Sequence, residues 1–238
     1  MPRLFDFKQF QKQYPITQDI MIDRIFERHF TFLDRSRQAN AREKVGTIIN
    51  ATFKLSTSMG FATMTMRDLQ KESDISLGGL YTYFANKESL AEMLVEALHE
   101  FTVERIPLYI DESLPRDVQL ERLIRGYIYL GHSLRKWFCF MFMEYKTLPE
   151  LTKKTTVVIE LDFQQRLDRL FGTQFYPGAN LVALMQDWFL KYWKYGHMNV
   201  DEFADRIVRM AWLMMRDIEA DNAHCYDVAS KRMKVLGR

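Results

Sequence analysis

The chain has 238 residues, 47% of them apolar and 27% charged, with a formal net charge of +2, which excludes disorder and fibrous repeats and allows one large domain or two modest ones. Glycine (10) and proline (6) are too scarce for an all-β fold, which needs turn residues at short intervals, so helices are the expected element. Near-neutral charge also excludes a polycation that coats nucleic acid or anionic lipid by net charge alone; the small basic excess sits in residues 1–90, at +3 against −1 for the remainder.

The amino-terminal residues alternate charged and aromatic side chains without a continuous apolar segment of signal-peptide length, and no stretch reaches the roughly 18 apolar residues of a membrane span. Cys139 and Cys225 have neither the count nor the spacing of a disulfide framework or zinc site, so both read as buried free thiols. A soluble, reducing, cytoplasmic setting without membrane contact is expected.

Residues 1–38 read as a helical amino-terminal extension. Thr17 is a plausible cap, and Ile22, Ile25, Phe26, Phe30 and Leu33 follow at helical spacing, which predicts a helix over 17–35. Its Arg24, Arg28, Arg35 and Arg37 have DNA or a partner subunit as possible targets, but an extra helix packed on the body is the favoured reading. Asn40 followed by Glu43 has capping-box spacing and predicts a fresh start, with Val45, Ile48, Ile49, Thr52, Phe53 and Leu55 on one face and Gly60 at the end.

Thr65 then caps a short helix through the amide of Asp68, with Leu69 as its inward anchor. After Asp74 and Ile75, Ser76 caps a second, with Leu80 and Phe84 four residues apart on its inner side. Two short helices around one tight turn make a helix-turn-helix. Asn86 launches a longer helix through Leu90, Met93, Leu94, Ala97, Leu98 and Phe101, ending near Pro107.

The run TMTMRDL at 63–69, Ile75-Ser76, and GGLYTYFANKESL at 78–90, together with the glycine-aromatic helix end Gly60-Phe61, resemble the DNA-binding domain of the TetR family of bacterial transcriptional regulators. The likeness covers about 45 to 50 residues and rests on several elements at fixed offsets. Gln70, Asp74 and Gly79 depart from the usual pattern, which has a small alanine, a glycine in the turn, and a DNA-contacting side chain there. The resemblance implies an all-α protein: a three-helix DNA-binding domain at 39–86, a larger ligand-binding and dimerisation domain at 87–221, and a tail at 222–238.

A recognition helix over 76–84 is slim at its start. Gly78 and Gly79 let the backbone approach the major-groove floor, at about 1 kcal/mol of helix propensity each relative to alanine. Ser76 and Leu77 lie at the same end, Leu77 within reach of a thymine methyl. Tyr81 and Tyr83 are placed outward, and their hydroxyls, with Thr65, Lys87 and Arg67, are candidate phosphate contacts. Each has a structural alternative: half-buried aromatics for the tyrosines, a cap for Thr65, a solvated helix-start lysine for Lys87, and a pair with an acidic neighbour for Arg67.

Beyond residue 107 the pattern is helical throughout. Ser113 and Pro115 mark a start, the apolar run at 137–145 must be wrapped by other helices, and Gly172 closes a segment that follows Pro149. Pro177 and Gly196 bracket a further helix, and 203–218 form the last. Trp137, Met141, Tyr145 and Trp188 are candidate lining for an effector that is hydrophobic with one polar end, core packing being the alternative for each.

His29, His99, His132, His197 and His224 show no metal-site pairing, and the glycine pair lacks the lysine of a phosphate loop. No catalytic residue, metal or cofactor is expected. Taken with the resemblance, these readings imply a homodimeric repressor that leaves a pseudo-palindromic DNA operator when a hydrophobic or amphipathic small molecule binds. The rival is an all-helical adaptor or ligand-binding protein of the same fold without sequence-specific DNA recognition.

Overall fold

The computed structural model describes residues 3–30, 35–109, 111–172 and 177–235, with the side chains of 35–37, 107 and 221–235 excepted. Among the described residues there is no strand, and no helix is long and apolar enough to cross a membrane.

Helix α1 (Phe7–Gln13) and helix α2 (Gln18–His29) make up the extension. The first does not stand out in the hydrophobic pattern, yet it carries a local signature: Asp6 and Gln9 form a reciprocal capping box. Thr17 caps α2 as expected, its hydroxyl accepting from Ile20 N–H at 3.3 Å. The helix ends at His29, and the expected turn with Leu33 lies outside the described residues.

Helix α3 (Arg35–Met59) is already under way five residues before Asn40, which is therefore a helix-interior residue and not the predicted cap. Tertiary contact overrides the local cap here. Ala41 is buried and the Arg42 guanidinium pairs with Asp23 of α2, so the turn around Asn40 is held from outside. Gly60 ends α3 in the left-handed region at φ 82°.

Helices α4 (Met66–Ser73), α5 (Leu77–Tyr83) and α6 (Lys87–Arg105) follow, then a 3₁₀ turn, Ile106–Tyr109. The body continues with α7 (Arg116–Ser133), α8 (Arg135–Met143), α9 (Glu150–Phe171), α10 (Pro177–Leu190) and α11 (Val200–Val235). Trp137, Phe138, Phe140 and Met141 of α8 are buried as its all-round apolar pattern requires, although Met143 faces solvent at 67% exposure.

Two boundaries differ from expectation. Helix α10 stops at Leu190 instead of running to Gly196, and just before its end the Cys139 thiol (3.1 Å) and Arg135 Nε (3.4 Å) of α8 both donate to Phe189 O. The Arg135 guanidinium also lies over the Tyr192 ring, 4.5 Å from its centroid. At the other end α11 carries its backbone helix to Val235, so the last helix, expected over 203–218, continues through most of the tail at 222–238; no glycine or proline interrupts it before Gly237.

His132 of α7 sits under the edge of Phe7 and accepts a hydrogen bond at Nδ1 from the Trp188 indole N–H, at 3.1 Å. Burial, and then Arg135, hold its pKa below the ordinary histidine value. The unfolded chain therefore takes up this proton first as pH falls, so the contribution is whole above about pH 6.5 and is lost below it. We expect urea-unfolding stability to decline from pH 6.5 towards pH 5, and the decline to be shallower in His132→Gln. His29, which burial shifts the same way, contributes to the slope that remains.

Candidate nucleic-acid interface

Residues 60–90 assemble through local chemistry. The Thr65 hydroxyl oxygen accepts from Asp68 N–H (3.2 Å), while the Asp68 carboxylate accepts from Thr65 N–H (3.0 Å) and from the Thr65 hydroxyl (2.6 Å). The Thr65 hydroxyl and amide hold the carboxylate below its usual titration range. Asp74 takes the left-handed turn position at φ 57°, a conformation that aspartate tolerates better than most residues. Ser76 then caps α5 by accepting from Gly79 N–H at 3.2 Å, and Leu80 and Phe84 are buried beneath.

The outward face of this unit holds Ser76, Gly78, Tyr81 and Thr82 exposed and Leu77 half-buried, with Arg67 exposed on the adjacent α4. Arg67 forms no ion pair with any described residue, so its pairing with an acidic neighbour is not observed. Thr82 was missed from sequence, although its place four residues after Gly78 puts it on the same face; its hydroxyl donates to Gly78 O at 3.0 Å.

The two glycines differ. A Cβ on Gly78 meets nothing within 4 Å, whereas one on Gly79 stands 2.9 Å from Ile75 Cγ2. Gly79 is thus a close-approach residue of the fold and does not stand where a side chain projects freely. Gly78→Ala is expected to raise thermal stability, by up to about 1 kcal/mol of helix propensity. Gly79→Ala is expected to lower it, since Ile75 is β-branched and yields poorly. Paired melting curves check both.

Three of the candidate phosphate contacts are engaged within the chain itself. Thr65 spends its only hydroxyl proton on Asp68 and works as a cap. Tyr83 is half-buried, its ring edge-on to Phe30 at 5.6 Å, and burial pushes its phenol up from the ordinary value. Lys87 donates all three ammonium protons to main-chain carbonyls, Phe61 O (2.9 Å), Ala62 O (2.8 Å) and Met64 O (2.9 Å), and lies over the Phe61 ring. That ammonium ties the turn after α3 to the start of α6 and has no proton left for a phosphate in this geometry.

The four effector candidates sit in different surroundings. Trp137 packs edge-on against Phe53 of α3, Met141 is fully buried, Tyr145 is half-buried, and Trp188 lies with His132 and Phe203. Surface cavities of about 320, 730 and 540 Å³ are lined instead by groups around Trp212 and Arg116, around His197 and Arg209, and between Arg24 and Glu100. The Trp137 indole N–H and the Thr152 hydroxyl are nevertheless buried without a hydrogen-bond partner among the described residues.

Comparison with known proteins agrees with this geometry. Residues 48–94 match the model of bacterial regulatory proteins, tetR family. The fold is similar to the fatty acid degradation regulator FadR from Bacillus halodurans (14% identity, 71% of this chain and 94% of that one, TM-score 0.55). It is similar also to a TetR-family transcriptional regulator from Streptomyces coelicolor (14%, 80% and 98%, 0.54) and to a TetR-like regulator from Rhodococcus sp. RHA1 (18%, 71% and 93%, 0.52). No curated protein sequence matches the chain.

Proposed function

We propose, from the premise that residues 48–94 are the amino-terminal domain of the tetR-family bacterial regulatory proteins, that the chain is a homodimeric repressor. A hydrophobic or amphipathic small molecule releases it from a pseudo-palindromic operator. Residues 39–86 form the DNA-binding unit and 87–221 the effector-binding and dimerisation unit.

The observation that carries this reading is the capped α4-turn-α5 unit, which turns a slim helix start and unpaired Arg67 outward while burying Leu80 and Phe84. Leu77, Gly78 and Tyr81 with Thr82 meet the groove, and Arg67 meets a phosphate. The dimer forms over α10 and α11, where Leu184, Met210 and Leu213 are exposed apolar residues. The effector enters the aromatic core near Trp137, Met141, Tyr145 and Trp188 and supplies an acceptor to the unpartnered Trp137 N–H. It acts by binding more tightly to a state in which the two α5 helices no longer stand about 34 to 36 Å apart, one turn of DNA.

Selection of random duplex DNA by the purified protein tests the reading. Enrichment of a pseudo-palindrome, bound by an even number of chains with affinity falling steeply in salt, is the expected result. Failure to enrich any sequence, repeated on refolded and ligand-stripped protein, would favour the adaptor. On the selected duplex, Gly78→Ala is expected to weaken binding although the variant is the more stable protein, because the added methyl stands between backbone and groove.

A further inference from the structure

Residues 3–30 precede the DNA-binding and effector-binding units in the chain, and they touch five other helices in one continuous run. At one end the Arg3 guanidinium pairs with Asp205 (2.6 Å) and Asp201 (3.6 Å) of α11. Leu4 N–H donates to Glu121 of α7 (3.0 Å), and Phe7 N–H to Asp201 (2.9 Å). Phe10 is fully buried among Tyr14, Tyr109 and Tyr129, and the Tyr14 hydroxyl donates to Leu108 O at 3.2 Å.

Helix α2 then runs antiparallel along α6. Arg24 makes a two-pronged pair with Glu104, and Arg28 pairs with both Glu96 and Glu100. Glu96, Glu100 and Glu104 stand at four-residue steps on one face of α6, where like charges repel each other unless opposed. The arginines, themselves four apart, oppose them in register. Asp23 of α2 meanwhile holds Arg42 of α3, and Phe30 closes the run with its ring edge-on to Tyr83 (5.6 Å) and Phe84 (6.1 Å), at the end of α5.

Helix α6 is the direct chain connection from α5 to the body. We propose that residues 3–30 are a second one: a strap that ties the position of the recognition helix α5 to α7 and α11, so that a rearrangement among the regulatory helices reaches α5 through Phe30 as well as through α6. Closely packed elements transmit displacement because they shift between discrete arrangements and do not deform smoothly. As regulation of operator binding the proposal rests on the reading above, whereas the mechanical coupling stands without DNA.

The test uses the full chain, with amide hydrogen exchange at 77–84 in the free protein and affinity for the selected duplex as readouts. Arg28→Glu sets a third carboxylate against Glu96 and Glu100. It is expected to speed exchange in α5 about tenfold and to weaken duplex binding by about the same factor. The charge swap Arg28→Glu with Glu96→Arg and Glu100→Arg should bring both readouts back to within about twofold. Arg3→Ala, at the far end, should speed exchange in α5 about threefold while far-ultraviolet circular dichroism stays unchanged.

Unchanged α5 exchange in Arg28→Glu or in Arg3→Ala would overturn the strap. So would a swap that leaves binding weak, since Arg28 would then act on DNA directly. If the unchanged protein selects no DNA sequence, the repressor reading fails by itself and the exchange measurements decide the strap alone.

Discussion

Replacing Arg125 by methionine is expected to destabilise the fold by about 3 to 5 kcal/mol, the usual cost of breaking one side of a buried ion pair. The Arg125 side chain is 3% exposed and donates from Nε to Glu121 (2.7 Å), from Nη2 to Asp205 (2.6 Å) and from Nη1 to the Tyr129 hydroxyl (3.3 Å). Burial by itself would lower its pKa, and these hydrogen bonds outweigh it. Once the guanidinium is gone, Glu121 remains buried, with the Leu4 amide as its other donor. The double variant Arg125→Met with Glu121→Met removes both charges and should recover most of the loss. Urea-unfolding midpoints of the single and double variants decide it, and equal losses in the two would show that packing dominates and the unpaired charge does not.

The second large effect belongs to Lys87. Its three hydrogen bonds, at 2.8 to 2.9 Å, join residues 61–64 to the first turn of α6. Bonds from a charged donor each contribute about 1.5 to 3 kcal/mol in favourable settings, and three sharing one partly exposed ammonium do not add fully, so Lys87→Met is expected to cost about 2 to 4 kcal/mol. The loop it releases leads directly into the Thr65 cap of α4. DNA binding should therefore weaken for all sequences alike while its dependence on salt keeps the same slope. A lysine bound directly to phosphate predicts otherwise, a slope shallower by about one unit for each phosphate that is no longer neutralised. Titrations of both proteins across salt concentration distinguish the two roles.

The legible parts of the chain were those whose chemistry is confined to a few neighbouring residues. Thr65 with Asp68, Ser76 with Gly79, and Asn86 with Ser89 are all pairs three residues apart, and the positive φ of Gly60 and Asp74 follows from what those residues tolerate. The same signal is present at Asp6 and Gln9, where the alternation of charge and aromatics conceals a helix of only seven residues. Thr82 carries no such signal, being a residue type with no strong preference for either role.

The amino-acid sequence by itself determined the all-helical class, the placing of the two short helices and their turn, and the face of α5 that turns inward, because caps and helical periodicity act within one or two turns. Only the tertiary structure decided how the side chains on that frame are used. Lys87 is committed to carbonyls 23 to 26 residues away, Tyr83 leans on Phe30, Asn40 lies inside a helix held by Arg42 and Asp23, and α10 ends where Arg135 and Cys139 reach Phe189. Trp137 and Trp188, alike in sequence as large aromatics on apolar faces, are parted to different neighbours by the packing of α8 and α10. A long side chain joins whichever donor, acceptor or ring the fold carries to it, and that meeting depends on the mutual placement of helices far apart in the chain, which no local periodicity encodes.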